Sequence, residues 1–268
     1  MRIIRFGAYT FPDTIPASGE IVRTNFGNAV PRIDRLPGMD GGYDAFGDEA
    51  APTEVGNVRC RFALVANSAA ALAGQIDAAR GMSGYGRAQL VIETGAGDER
   101  WTWAKVNSLT IPTEQDAIAD RYAEVTVDFQ CALPRWFSSN GDSPQVEVCS
   151  GAATPFTVRN GGNAIALPRF SIDPGTAISS SGLTIQRLVD AVVVDEVEFA
   201  AAVLTTDTLV IDAQGLTVRK NGVDAYGSSF SARHPAWFRL HPGDNTVRVI
   251  LGAGESASVT VTWDDTWY

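Results

Sequence analysis

A strict two-residue alternation along residues 122–131 is the feature that most constrains the fold of this chain. Its apolar members, which share one face, are Val125, Val127, Phe129 and Cys131. The polar members, which share the other face, are Glu124, Thr126, Asp128 and Gln130. Successive side chains of a β-strand point to opposite faces of its sheet. The pattern therefore predicts an antiparallel strand with one buried face and one exposed face.

The alternation recurs at residues 58–64, where Arg59 and Arg61 face away from four apolar side chains. Shorter candidate strands follow at residues 89–93 and 100–111. The second half contains no helical pattern, and its candidate strands are residues 145–149, 154–159, 169–172, 183–189, 191–199, 208–212, 216–220, 237–240, 246–251 and 257–263. Many short strands at regular spacing predict a β-sandwich.

One segment has the period of a helix. Asn67 or Ser68 can cap its start, and Gly81 is predicted to stop it after Arg80. The apolar stripe of this helix consists of Ala69, Leu72, Ala73 and Ile76.

Two further segments predict tight turns. Asn221 and Gly222 both tolerate positive φ and form the strongest hairpin signal of the chain. Pro242-Gly243-Asp244-Asn245 predicts a second turn, between the candidate strands 237–240 and 246–251.

A length of 268 residues exceeds the usual size of a single hydrophobic core. Residues 138–144, which contain no apolar side chain, form the best candidate linker. We therefore predict two domains, residues 1–137 and 138–268. The fold class is mostly β, with an α+β N-terminal domain that carries one helix and a C-terminal β-sandwich.

Charge and hydropathy exclude two classes of protein. The formal net charge is -10, whereas binding to a phosphate backbone requires clustered Lys and Arg. The longest apolar runs are far shorter than the roughly 20 residues of a membrane helix. We expect a soluble protein made in the cytosol, without direct nucleic-acid recognition or membrane insertion. Three widely spaced cysteines, Cys60, Cys131 and Cys149, are expected to be reduced.

The motifs of enzymes are missing or incomplete. His234 and His241 each precede a proline, which favours turns, and neither pairs with a cysteine at zinc-ligand spacing. The segment from Gly81 to Tyr85 lacks the last glycine of a serine-hydrolase elbow. The sequence therefore predicts no catalytic residue, no metal site and no cofactor.

Acidic clusters and tryptophans admit two interpretations each. The acidic residues of a glycine-rich loop, Asp40, Asp44, Asp48 and Glu49, fit a solvated loop better than a calcium site. Asp195, Glu196 and Glu198 fit a polar strand face, or else a glycosidase carboxylate pair. Six tryptophans favour packing and subunit interfaces over carbohydrate binding, and Trp101 and Trp103 share one strand face.

Several of these segments, in this order, resemble the distal tail protein (Dit) family of siphophages. Pro37-Gly38-Met39-Asp40-Gly41 is similar to an early loop of that family. The helix followed by the Trp101–Trp103 strand, and the exit through Pro134-Arg135-Trp136, are similar to its belt domain. Residues 237–245, with Pro242, Gly243 and Asn245, resemble a strand and turn in its last third. The first 35 residues match only loosely.

The resemblance implies a structural virion protein of the tail tip and no enzyme. Residues 1–137 would form a belt domain within a hexameric ring, and the C-terminal sandwich would be galectin-like. The implied partners are other copies of the chain, the tail tube protein, the tail-tip hub protein, and receptor-binding or side-fibre proteins. The implied structural or interface residues are Pro37, Gly38, Asp40, Gly41, Pro242, Gly243 and Asn245.

Two other functions stay open from the sequence. A carbohydrate-binding module that contacts the host envelope would use Trp237 or Trp267. A cell-wall glycosidase would use Glu196 or Glu198. Gene transfer agents and related tail-like particles use similar proteins, and the sequence does not separate them from true phages.

Overall fold

The computed structural model describes residues 2–12, 22–25, 33–34, 43–44, 55–95, 97–111, 121–133, 135–139, 144–151, 153–227, 229–233 and 237–268. The chain divides into two compact units, residues 1–139 together with Tyr268, and residues 140–267. The described part is mostly β and contains a single α-helix. The predicted fold class is therefore confirmed.

The first unit is built on an antiparallel sheet that carries one helix. Its strands are β1 (Arg2–Phe6), β2 (Tyr9–Thr10), β3 (Val22–Asn25), β4 (Ile33–Asp34), β5 (Tyr43–Asp44), β6 (Gly56–Val65), β7 (Ala88–Glu93), β8 (Glu99–Thr110), β9 (Tyr122–Cys131) and β10 (Trp136–Ser138). The main sheet has the order β2-β1-β7-β8-β9-β6-β3, and β10 pairs with β8. Strands β4 and β5 form a separate hairpin.

Strand β9 has one buried face, as its alternating side chains predict. Val125, Val127, Phe129 and Cys131 are fully buried, as the sequence predicts. The ring of Phe129 lies 4.8 Å from that of Phe6, so β1 and β9 share one apolar layer. Cys60 and Phe62 of β6 are also buried in this unit.

The helix α1 (Ala69–Gly81) begins as predicted and ends differently. Ala71 N donates to Ser68 Oγ over 3.2 Å, which confirms Ser68 as the N-cap. Gly81 has φ of -54°, and the chain continues into a 3-10 turn at Met82–Gly84. The predicted glycine stop at Gly81 is therefore wrong, because a left-handed cap requires positive φ.

The buried face of α1 also differs from the predicted stripe. It consists of Leu72, Ile76 and Ala79, whereas Ala69 is exposed. Leu72, Ile76 and Ala79 follow the i, i+4, i+7 spacing of one helix face.

The second unit is a sandwich of two antiparallel sheets. Its strands are β11 (Gln145–Ser150), β12 (Thr154–Asn160), β13 (Arg169–Pro174), β14 (Leu183–Val189), β15 (Val192–Phe199), β16 (Leu209–Asp212), β17 (Thr217–Lys220), β18 (Val223–Asp224), β19 (Phe230–Arg233), β20 (Gly243–Ile250) and β21 (Ser256–Thr262). A last short strand, β22 (Thr266–Trp267), belongs to neither sheet of the sandwich. One sheet has the order β11-β21-β13-β16-β17-β18, and the other β12-β20-β14-β15-β19. Between them lies one continuous apolar core, in which Phe170 and Phe238 meet edge to face at 5.1 Å.

One predicted turn is confirmed and one predicted strand is wrong. Asn221 and Gly222 both have positive φ and join β17 to β18 as a two-residue hairpin. Residues 237–240 form no strand, since only Leu240 pairs there, in an isolated bridge with Ala166. The segment instead lies against the sandwich as an extended connection into β20.

Candidate functional site

Residues 241–245, which lead into β20, include three of the residues that the resemblance singles out. Asn245 is buried and its side-chain amide bonds back to His241, with Oδ1 accepting from His241 N at 2.9 Å and Nδ2 donating to His241 O at 2.8 Å. Gly243 has φ of +88°, a conformation that favours glycine, and begins β20. The predicted turn over Pro242 to Asn245 is therefore wrong, because Gly243 to Asn245 already pair with β12. These contacts give Gly243 and Asn245 a packing role.

A second buried amide closes the neighbouring segment. Asn160 Nδ2 donates to Ala164 O at 2.8 Å and to Leu240 O at 3.2 Å. Gly161 N donates to Asp265 Oδ1 at 2.6 Å. A Cβ placed on Gly162 would lie 1.9 Å from Thr266 O. The chain end near Thr266 therefore crosses the backbone of residues 161–162 at a distance that only glycine permits.

The remaining motif residues, Pro37, Gly38, Asp40 and Gly41, lie outside the described residues, as do Asp48, Glu49 and His234. The structural or interface role of Pro37, Gly38, Asp40 and Gly41 stays a prediction.

A buried charge cluster lies inside the sandwich. Arg187 Nε donates to Asp195 Oδ2 over 2.5 Å, and the two side chains are 7% and 1% exposed. Arg239 Nε lies 3.9 Å from Asp195 Oδ1. Neither of these two atoms, nor Nε2 of His241, has a hydrogen-bond partner in the described part of the chain. One buried carboxylate therefore lies between the buried Arg187 guanidinium and the partly exposed Arg239 side chain.

His241 lies within the field of this cluster. Burial lowers the pKa of its imidazole below the ordinary value, and the positive charges of Arg187 and Arg239 lower it further, against the opposing effect of Asp195. Burial disfavours the charged form of a histidine. His241 is therefore expected to be neutral at neutral pH.

The structure separates the three carboxylates that we considered as a polar strand face or a glycosidase pair. Asp195 points into the core, next to Val197 and Phe199 in the burial pattern of β15, so its placement on a polar face is wrong. Glu196 and Glu198 lie on the opposite face, where Gln186 Nε2 donates to Glu196 Oε2 at 2.6 Å. Glycosidases need two carboxyl groups that face each other across a cleft, and these do not.

The tryptophans of the first unit form an aromatic cluster beside β8. Trp101 and Trp103 meet edge to face at 5.7 Å, and Phe137 lies 4.8 Å from Trp101. Trp101 Nε1 donates to Ser138 O at 3.1 Å. The Arg87 guanidinium lies 4.8 Å from the centroid of the Trp103 ring. Packing is therefore the role that the structure gives to Trp101.

Trp237 of the second unit is also engaged by other aromatic rings. Its ring stacks on Tyr226 at 5.9 Å and an interplanar angle of 18°, and it contacts Phe230 at 5.3 Å. It packs against the sandwich core as well. The interpretation of Trp237 as a carbohydrate contact stays a prediction.

The three cysteines are free and buried. Burial raises the pKa of the Cys60 and Cys131 thiols to about 12 and that of Cys149 to about 11, the last with help from the charge of Glu147. A thiol at such a pKa is almost entirely protonated at neutral pH and is a poor nucleophile. The described residues contain no group of His, Cys, Asp and Glu side chains placed to hold a metal ion. In the same part of the chain, no helix is both long and apolar enough to cross a membrane.

Sequence reasoning missed Arg187 and Asp195 as a pair. No local signal was available, because a regular hairpin with Val189 opposite Val192 would place Arg187 opposite Val194 and not opposite Asp195. The cluster fixes the residues around it and offers no hydrogen-bonded nucleophile–base pair.

Comparisons with known proteins give a family-model match to the second half of the chain and a similar fold along most of it. The family model for the siphovirus-type tail component, C-terminal domain, matches residues 161–267. The crystal structure of the SPP1 Dit protein, described as a paradigm of the hub adsorption apparatus in phages that infect Gram-positive bacteria, is similar with a TM-score of 0.61 and 17% identity over 92% of each chain. Two structures of the phage P2 baseplate in its activated conformation, with Ca and with Sr, give TM-scores of 0.41 and 9% identity over 91% of each chain. No curated protein matches the chain.

Proposed function

We propose that the chain is a distal tail protein of the siphovirus type and that it forms a ring at the distal end of a phage tail. The observation that carries the proposal is the family match over most of the sandwich, together with a shared fold along 92% of the chain. In this role the chain works through its surfaces and catalyses no reaction.

The first unit is the proposed ring-forming part, as a hexamer. The described path of its main sheet ends at β2 and β3, which leaves two edges within the unit. Open sheet edges are templates for pairing with another chain. A head-to-tail contact between two different surfaces generates a closed ring when the rotation closes. Such contacts around a sixfold axis would satisfy the edges of every subunit.

The proposed neighbours are the tail tube protein on one side of the ring and the tail-tip hub protein on the other. Receptor-binding or side-fibre proteins would attach at the sandwich. The net charge of -10 suits a channel through which DNA must pass without binding, because like charges repel. Basic residues along the channel of an assembled ring would contradict this last point.

Native mass spectrometry of the purified chain tests the ring. We expect a species with the mass of six 28.5 kDa chains, and negative-stain images with sixfold symmetry. Gold-labelled antibodies against the chain should mark one end of the tail in purified particles. A chain that stays monomeric at high concentration and does not label tails would contradict the proposal.

The carbohydrate-binding alternative predicts a different result. Full-length chain would bind arrayed host-surface glycans, and Trp237→Ala would abolish the binding. Because Trp237 contributes to a packed aromatic cluster, the folded state of the variant must be verified by circular dichroism. Glycan binding in the absence of any ring would favour the alternative.

A further inference from the structure

Strand β11 forms one edge of the six-stranded sheet and, within the described residues, pairs with β21 only. Gly151 N donates to Glu255 O at 3.0 Å, directly beyond the last pair of these two strands. In an antiparallel ladder, residues that bond to the neighbouring strand alternate with residues whose N–H and C=O point away from it. The backbone groups of Val146 and Val148 therefore point to the outer edge of the sheet.

The same two valines expose their side chains. Val146 is 56% exposed and Val148 is 74% exposed. Thr260 and Ser258, which pair with them on β21, carry no charge. The edge of β11 therefore offers backbone hydrogen-bonding groups next to an uncharged and partly apolar surface.

Strand β11 lacks the features that usually keep a sheet edge from pairing with another chain. Such edges carry proline or basic side chains, or the edge strand is very short. The neighbouring edge strand β12 contains Pro155 and an exposed Arg159, and Gln145 Nε2 donates to its Thr157 O at 3.0 Å. Among the edge strands of the sandwich that the structure describes, only β11 combines six residues with the absence of proline, lysine and arginine.

We propose that the edge of β11 pairs with β11 of a second copy, antiparallel and around a two-fold axis at Val148. A contact of this symmetry uses the same surface on both copies. The outward N–H and C=O groups of the two Val148 residues meet at the axis. The two six-stranded sheets then join into one continuous sheet, and the exposed valines of both copies are covered.

The sequence of β11 favours this register over its two neighbours. With Val148 on the axis, Glu147 lies opposite Cys149 of the other copy. A register with Val146 opposite Val148 would place the two Glu147 side chains directly opposite each other, and like charges in that position are destabilising. A register centred on Val146 would place Pro144, which has no N–H, opposite Val148.

This contact goes beyond the proposed ring. A ring repeats a head-to-tail contact between two different surfaces, whereas the two β11 strands meet through identical ones. The contact is therefore a second interface, which links sandwiches in pairs. A single pair of strands is much smaller than a standard protein interface, so we expect a weak association.

Disulfide formation between two copies of Val148→Cys tests the register in the full chain. The Cα atoms of a hydrogen-bonded antiparallel pair lie about 5.5 Å apart, a distance that a disulfide can bridge. Mild oxidation should therefore give a covalent dimer, which the natural chain should not form because its three thiols are buried.

Val146→Cys is the matched control, on the same face of the same strand. In the proposed register its Cα lies about 13 Å from its equivalent along the strands, so its disulfide should form about tenfold more slowly. Equal rates for the two variants would reflect random collision and overturn the proposal. The absence of a dimer from Val148→Cys would overturn it as well.

Opposite charges at position 148 test the same contact without cysteine. Val148→Lys and Val148→Glu should each weaken the concentration-dependent doubling of mass about tenfold in sedimentation equilibrium, because like charges then meet at the axis. An equal mixture of the two variants should pair again, since lysine then lies opposite glutamate. Val192→Lys, at a position 64% exposed on β15, should pair like the natural chain. A mixture that pairs no better than its components contradicts the proposal.

The ring and the paired sandwiches can fail independently. Native mass spectrometry of Val148→Lys should still show the six-chain species, because the substitution leaves the first unit unchanged. A sixfold ring whose Val148→Cys variant forms no disulfide leaves the proposed function intact and removes this inference. A specific 148–148 disulfide in a chain that never closes a ring retains the contact and removes the ring.

Discussion

Arg187 and Asp195 face each other across the β14–β15 hairpin because one extra residue interrupts the pairing between them. Val189 pairs with Val192 and Leu188 with Val193, but Arg187 pairs with Asp195, so Val194 has no partner. A bulge of this kind reorients the side chains that follow it. The result is a carboxylate on the core face of β15, within 2.5 Å of a guanidinium nitrogen.

Asp195→Asn should strongly destabilise the sandwich, because it leaves the buried Arg187 guanidinium without its counter-charge. The expected loss is about 3 kcal/mol, as for other broken buried ion pairs. Hydrogen exchange of the β14 and β15 amides in the full chain measures it. Glu198→Gln, on the opposite face of β15, is the control, with an expected change below about 0.5 kcal/mol.

The double variant Arg187→Met with Asp195→Leu should recover most of that loss. Well-packed apolar replacements of a buried ion pair are often neutral or stabilising, since they remove the cost of desolvating two charges. Recovery to within about 1 kcal/mol of the natural chain is expected by the same exchange measurement. A double variant no more stable than Asp195→Asn would contradict this explanation.

Gly162→Ala should be among the most damaging small substitutions in the chain. Its Cβ would lie 1.9 Å from Thr266 O, so the backbone of one of the two segments must move. We expect a loss of about 2–4 kcal/mol in the unfolding free energy of the sandwich. Gly227→Ala, whose Cβ meets nothing within 4 Å, is the matched control and should change stability little. Thermal unfolding of both variants by calorimetry compares them.

Stability should fall as the pH decreases through the ordinary range of histidine, in part because of His241. Its pKa is lower in the folded chain than the ordinary histidine value of 6.5, so the unfolded chain binds the proton first as the pH falls. The unfolding free energy therefore decreases as the pH falls below that value. His241→Gln should reduce this slope between pH 7.5 and 5.5, measured by urea denaturation. An unchanged slope would show that His241 does not contribute.

Thiol reagents should leave the folded chain unmodified. At pH 8, dithionitrobenzoate is expected to react with none of the three cysteines, because each is buried with a raised pKa. After unfolding in guanidinium chloride all three should react. Val148→Cys, at an exposed position, should add one reactive thiol to the folded chain and serves as the positive control.

The alternation of apolar and polar residues was sufficient to predict the main strands. In β9 every predicted inward residue from Val125 to Cys131 is buried, because a long, regular strand leaves only one register for its apolar face. Asn221 and Gly222 were equally predictable, since their backbone preferences are local. Residues 237–240 were not, because a short apolar run fits a strand and a packed connection equally well.

The buried pair of Arg187 and Asp195 could not be predicted from the sequence, for a different reason. A β14–β15 hairpin without a bulge would place Arg187 opposite Val194. The pairing of Arg187 with Asp195 therefore depends on the bulge, which no turn residue in the sequence predicts. The side-chain amides of Asn160 and Asn245 donate hydrogen bonds to backbone carbonyls, some of which are far away in the sequence, such as Leu240 O for Asn160. Local patterns carry no information on such long-range partners.

The place of β21 in its sheet has a consequence for the order in which the protein folds during translation. This strand lies between β11 and β13 and pairs with both, although Ser256–Thr262 is synthesised after β14 to β20. Every residue of β11 and of β13 pairs with β21, so the sheet that they share cannot form until β21 has been synthesised. Strands β1 to β10, which all precede residue 139, can pair while translation is still under way. Completion of the sandwich, in contrast, requires that translation has passed residue 262.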